Sequence, residues 1–144
     1  MGIAYRVVES ARLNVTVIDG PVTGEDFHSF AHEQANDPAW HATTRSLTDA
    51  RTAIIPAVTT ETVNGFAALY ASMRDQDEPY ESAIIGGNAF EVAGNYAEFR
   101  SDGHTHTIAF NDVVTACIWL RVDSDLVRAT IDELREKLRH SSAP

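Results

Sequence analysis

Basic residues are scarce in this sequence. Eleven Lys and Arg stand against twenty-one Asp and Glu, a formal net charge of -10. A chain of that sign repels a phosphate backbone and lacks the cations whose neutralisation releases counterions, so nucleic acid is not an expected partner. An anionic membrane surface is disfavoured for the same reason. Apolar runs such as Val113 to Leu120 fall far short of the about 20 residues a spanning helix needs, so no membrane partner is expected either.

Cysteine is nearly absent. Cys117 alone can make neither an internal disulfide nor a Cys-based zinc site. Met1 to Glu9 carry Arg6 and Glu9 within an apolar pattern, which is no signal-peptide core, and Arg6 stands where a myristoylation motif needs Ser or Thr. A reducing cytoplasm is the expected location, which makes the Asn14-Val15-Thr16 sequon accidental. Internal repeats, low-complexity tracts, a Walker motif, a spaced three-glycine fingerprint and a Gly-x-Ser-x-Gly elbow are all missing.

What is present suits one globular domain. At 144 residues, with 44% hydrophobic and 22% charged, the chain is long enough to bury about two-thirds of its unfolded surface around one core. We expect a single domain over residues 1–140 and a disordered tail at 141–144.

Ile3 to Val8 and Leu13 to Ile18 read as a hairpin, because Leu13, Val15 and Val17 alternate with Asn14 and Thr16. Asp19-Gly20-Pro21 ends the second strand. Thr23 and Asp26 have capping-box spacing, so a helix begins near Gly24, puts Phe27, Phe30 and Ala31 inward, and stops before Pro38. Trp40 plugs the core beneath that turn. Thr43 to Thr48 is the third strand, and a ten-residue connection through Pro56 leads to a second helix from Thr59 or Thr60, with Val63, Phe66, Ala67, Tyr70 and Met73 in helical spacing.

Ala83 to Ile85 is a short buried strand ended by Gly86-Gly87, and Asn88 caps a third helix marked by Phe90, Ala93 and Ala97. Thr105 to Phe110 is the next strand, Asp112 caps a short helix through Trp119 and Leu120, and Asp123 caps the last. There Val127, Ile131, Leu134 and Leu138 form one apolar stripe up to a frayed end at His140. Strands alternating with helices after a hairpin predict an α/β fold: a mixed four- to five-stranded sheet with an N-terminal hairpin, backed by four to five helices.

Few residues invite chemistry. His28 and His32, four apart on the first helix, present two imidazoles to one side but lack a third ligand, unless His104 and His106 join them. Asp37, Asp49, Asp75, Asp77, Asp112, Asp123 and Asp125 suit caps and turns better than acid–base catalysis. Ile84 to Asn88 resembles a weak anion cradle more closely matched by a tight strand-to-helix turn, and Cys117 reads as a small core residue.

Four stretches, in order, resemble the STAS-like, SpoIIAA-like family of anti-sigma-factor-antagonist domains. They are the hairpin followed by Asp19 to Thr23, a small-residue turn into the first helix; Asp37-Pro38-Ala39-Trp40, ending that helix; Ser46 to Arg51, closing the third strand; and Phe110-Asn111-Asp112 leading into Ala116 to Leu120. Together they span residues 3 to 121. The resemblance implies a helix-backed sheet that acts as a protein-interaction or small-ligand module. Regulatory members carry a phosphorylatable serine in an Asp-Ser-Ser-Gly-like loop before the second helix, where a kinase docks. The corresponding loop here, Thr52 to Thr60, has no serine, only Thr52, Thr59 and Thr60, so the anti-sigma role is not carried over.

We therefore expect a non-enzymatic binding or regulatory domain without catalytic residues, metal or cofactor. Its contact surface is expected to include Asp49, Arg51 and Thr52 in the third-strand loop and Thr59 and Thr60 at the second-helix start, since open α/β sheets bind at the carboxyl ends of their parallel strands. The partner is another protein or a second copy in a homodimer. The alternative is a small-ligand or lipid module with an apolar cavity between the sheet and the helices carrying Phe66, Tyr70, Phe90 and Tyr96.

Overall fold

The structure, a computed structural model, describes residues 2–54, 72, 78–86 and 105–142. β1 (Ile3–Val8) and β2 (Leu13–Pro21) are antiparallel, joined by a 3-10 turn over Glu9–Ala11. Arg12 closes that turn at φ 50, and its carbonyl accepts from Thr44 N at 2.9 Å and Arg45 N at 3.2 Å, which ties the hairpin to the start of the next strand. β3 (Arg45–Ile54), β4 (Tyr80–Ile85) and β5 (Thr105–Phe110) follow in parallel, giving a five-stranded sheet in the order β1-β2-β3-β4-β5.

Helix α1 (Gly24–Ala35) starts on the expected capping box, with Asp26 N donating to Thr23 Oγ1 at 3.2 Å and Thr23 N to Asp26 Oδ2 at 2.9 Å. Asp37 Oδ1 accepts from Ala39 N at 2.9 Å, so the Asp-Pro pair does more than stop α1: it nucleates the single turn α2 (Pro38–His41). Tyr5 Oη donates to the other oxygen of Asp37 at 2.6 Å, and its ring meets Phe30 edge-on at 5.4 Å. Burial and the Asp37 carboxylate both push the Tyr5 phenol well above its ordinary pKa.

On the opposite side lie α3 (Val113–Leu120), capped by Asp112 through Thr115 N at 2.8 Å, and α4 (Ser124–Ser142), where Asp123 Oδ1 accepts from Asp125 N at 2.9 Å. α4 extends to Ser142, past His140 and into the segment 141–144.

Strand alternation sorts the core into two layers. Leu13, Val15, Val17, Leu47, Ala83 and Ile85 face α3 and α4, whose Ala116, Leu120, Val127, Ile131, Leu134 and Leu138 complete that side. Ile3, Ile18, Ala50 and Ala53 face α1 with Val22 and Phe30. Trp40 is buried, as its place under the first helix predicts.

Three strands differ from the expectation. β2 continues through Asp19-Gly20-Pro21, with Gly20 at φ 72, because those residues pair with Thr52-Ala53-Ile54. β3 extends six residues past Thr48, so Asp49, Arg51 and Thr52 belong to a strand and not to a loop. The ladder steps from Val17↔Asp49 to Asp19↔Thr52, which leaves one extra residue in β3, a β-bulge. β4 starts three residues earlier than Ala83, its polar Glu81 and Ser82 being matched by Arg121 and Ser46. Polarity stops a strand only where no partner receives it. The helices expected from Thr59 and from Asn88 lie outside the described residues.

Candidate binding surface

Asp49 is register partner to Val17 and Ile85, so strand alternation turns it to the α3 and α4 side, where its side chain is 0% exposed; the bulge that follows brings Thr52 to the same side, opposite Asp19. A buried carboxylate left alone costs several kcal/mol. This one is fully bracketed. Arg51 donates from Nε to Oδ1 at 2.9 Å and from Nη2 to Oδ2 at 2.8 Å, and its backbone N–H adds a third bond to Oδ1 at 3.1 Å. Arg135 of α4 reaches Oδ2 through Nη2 at 2.8 Å.

Arg135 also ties in the neighbouring strand. Its Nη1 donates to Thr52 Oγ1 at 2.8 Å and stands 3.5 Å from Asp19 Oδ1, to which Thr52 Oγ1 donates at 2.6 Å. Two carboxylates and two guanidiniums thus cancel. The cluster joins β2, β3 and α4 without a net charge to attract a free anion.

Burial pushes the Asp49 carboxyl up, but the hydrogen bonds from Arg51 and Arg135 outweigh it and hold the group below the ordinary carboxylate range. The bond to Asp49 raises Arg51 in turn. A carboxylate held ionised is a poor proton acceptor, and its two side-chain hydrogen bonds hold the Arg51 guanidinium in one orientation.

Exposure separates the members. Arg51 is 41% exposed and Thr52 is exposed, whereas Arg135 shows only 16% and Asp49 nothing. Of the residues expected at this surface, Asp49, Arg51 and Thr52 come together, with Asp49 beneath and the other two at the surface. Thr59 and Thr60 lie outside the described residues. Sequence reasoning missed Arg135, which is 86 residues from Asp49 and sits among other charges on α4, and it took Asp19 for a turn residue. The one available signal was an Asp and an Arg two apart in a strand, a spacing that permits a local fork.

The second face of the sheet holds a polar row. Asn14, Ser46, Ser82 and Thr107 are register partners across β2 to β5, and all are buried. Ser46 Oγ donates to Ser82 Oγ at 3.0 Å and Asn14 Nδ2 to Thr16 Oγ1 at 3.1 Å, while Asn14 Oδ1 has no hydrogen-bond partner among the described residues. Any apolar cavity on this face would have this polar row in its floor. Phe66, Tyr70, Phe90 and Tyr96, expected to line such a cavity, lie outside the described residues. Burial of Asn14 also withholds its amide from any glycosyl transfer.

Elsewhere, His28 and His32 are both exposed on α1, and no three His, Cys, Asp or Glu side chains converge among the described residues. Cys117 is buried under α3, and desolvation pushes its thiol up to about 11. Of the anion cradle only Ile84 to Gly86 is described, and Gly86 N already donates to Phe110 O at 3.0 Å. None of the described helices is long and apolar enough to cross a membrane.

A mixed five-stranded sheet with an N-terminal hairpin and helices on its faces is a SpoIIAA-like α/β fold. A crystal structure of an uncharacterized protein of the DUF3478 family from Shewanella loihica PV-4, described as having a SpoIIAA-like fold, superposes with a TM-score of 0.55 over 83% of this chain and 94% of that one. The two are 21% identical, so what they share is the fold. No family model matches the chain, and no curated protein does.

Proposed function

We propose that this chain is a non-enzymatic binding module that docks another protein where β3 ends, with Arg51, oriented by Asp49, and Thr52 at the contact; Thr59 and Thr60, also expected there, lie outside the described residues. One observation carries the reading: the buried Asp49 fixes the half-exposed Arg51 guanidinium in one orientation, at the carboxyl ends of parallel strands. A side chain ordered in advance loses less entropy on binding, so it suits recognition of a partner. The other carboxylates support a binding role over a catalytic one, because Asp26, Asp37, Asp112 and Asp123 are occupied as helix caps.

The test is quantitative affinity capture with the wild-type chain, with Arg51→Glu and with the distant control Glu25→Ala. A partner retained by the control and lost with Arg51→Glu supports the surface; equal capture by all three removes it. Circular dichroism confirms that each bait is folded.

A small ligand on the second face of the sheet is another reading, favoured by the unpartnered Asn14 Oδ1, which calls for a ligand with a hydrogen-bond donor. Native mass spectrometry of freshly purified protein distinguishes the two: adduct mass that disappears on denaturation supports the ligand, and a clean mass rejects it.

A further inference from the structure

Three observations meet at the β5 side of the molecule. β5 is the last strand of the sheet, so among the described residues its outer backbone edge has no neighbour. Open edges template pairing with another chain unless charge, proline or a bulge protects them, and Thr105 to Phe110 carries none of these.

Next to that edge the apolar side chains point outward. Ile118 is 72% exposed, and Val114, one turn earlier on the same face of α3, is exposed with it. Ile108 of β5 is register partner to Ala83, so it faces the α3 side of the sheet, and it too is exposed. The third observation is electrostatic. Residues 105–120 hold a single formal charge, Asp112, which is engaged as the cap of α3, while the whole chain carries -10.

We propose that β5 and the outer face of α3 form the interface of a twofold homodimer, with β5 paired antiparallel to β5 of a second copy. The occupant follows from symmetry and charge. A twofold axis normal to the sheet pairs the two open edges and leaves both α3 helices on one side, so a single operation covers the edge and the apolar face together. With strands about 4.8 Å apart, α3 helices seated over β4 in each copy stand about 14 Å from each other, near the 10–12 Å diameter of a helix with its side chains. Ile118 and Val114 of both copies fill the seam and Ile108 forms its floor. Two chains of the same strong negative charge repel, and they can touch only where that charge is missing. A basic partner would instead be drawn to the acidic remainder of the surface.

The surface lies two strands from Arg51, so its fate is independent of the proposed docking site. Sedimentation equilibrium of the full chain at increasing concentration and salt tests it. The expected result is twice the monomer mass, with association tightening as salt screens the net repulsion. Ile118→Glu and, separately, Ile108→Lys should each return the mass to one copy with an unchanged circular dichroism spectrum and a Tm that no longer rises with protein concentration. Ile118→Cys should cross-link to itself through a short bismaleimide, because the buried Cys117 does not compete. A wild-type chain that stays monomeric throughout overturns the proposal. So does a dimer that survives both charge substitutions, or one that Ile118→Cys fails to capture.

Discussion

Arg135 Nη2 lies 2.8 Å from Asp49 Oδ2, a hydrogen bond that spans 86 residues of sequence and fastens the last helix to the middle strand. Through Nη1 the same guanidinium holds Thr52. α4 is thus located on the sheet by two kinds of contact. The stripe of Val127, Ile131, Leu134 and Leu138 supplies burial, and Arg135 sets the register of that stripe against β3.

Removing Arg135 should be costly. Arg135→Ala leaves Asp49 buried with one guanidinium where it had two, and breaking a buried pair from one side typically costs 3–5 kcal/mol, so a loss of about 3 kcal/mol is expected here. Urea unfolding of Arg135→Ala, Asp49→Ala and the double variant measures it. The double variant should be less destabilised than the sum of the singles; simple additivity would show the contact to be incidental.

The pair also predicts a pH dependence. Asp49 titrates below its ordinary value in the folded protein, so the unfolded chain binds the proton first as pH falls. The stabilisation is complete above the unfolded value of about 3.9 and disappears as pH drops through the folded one. Chemical unfolding midpoints should accordingly fall more steeply below that pH in the wild type than in Asp49→Asn. Parallel slopes would contradict the assignment.

Asn14 offers a stability test on the second face of the sheet. Thr16→Val alone removes the acceptor for Asn14 Nδ2, leaves both ends of a buried amide unpaired and should cost about 1–3 kcal/mol. Asn14→Val together with Thr16→Val removes every unpaired group and should fall within about 1 kcal/mol of the wild type. Thermal unfolding of the three proteins decides. A double variant worse than the single one would mean that the amide is satisfied in solution by a bound molecule.

Cys117 should behave as a core side chain. With its thiol pushed up to about 11 it is protonated at pH 8 and shielded, so a thiol-specific chromogenic reagent should react at the rate of local opening and become fast only in denaturant. Rapid labelling of the native chain would be incompatible with the packing of α3.

The regular elements were open to sequence reasoning where local chemistry dominates. The hairpin alternation, the Thr23–Asp26 capping box, the Asp112 and Asp123 caps and the α4 stripe all fall where expected, because each depends on residues within a turn or two of one another. β1 and β5 match end to end. Only part of the candidate surface was legible. Asp49, Arg51 and Thr52 were singled out as loop residues, and they form a cluster because they are strand residues.

By itself, then, the sequence determined the periodicities, the helix starts and the charge that excludes whole classes of partner, since these follow from neighbours along the chain. The tertiary structure alone decided that β2 and β3 run on through Asp19 to Pro21 and Asp49 to Ile54, that Asp49 faces inward and that Arg135 meets it. A polar residue belongs to a strand or to a turn according to whether a partner reaches it, and here that partner arrives from a helix more than eighty residues away.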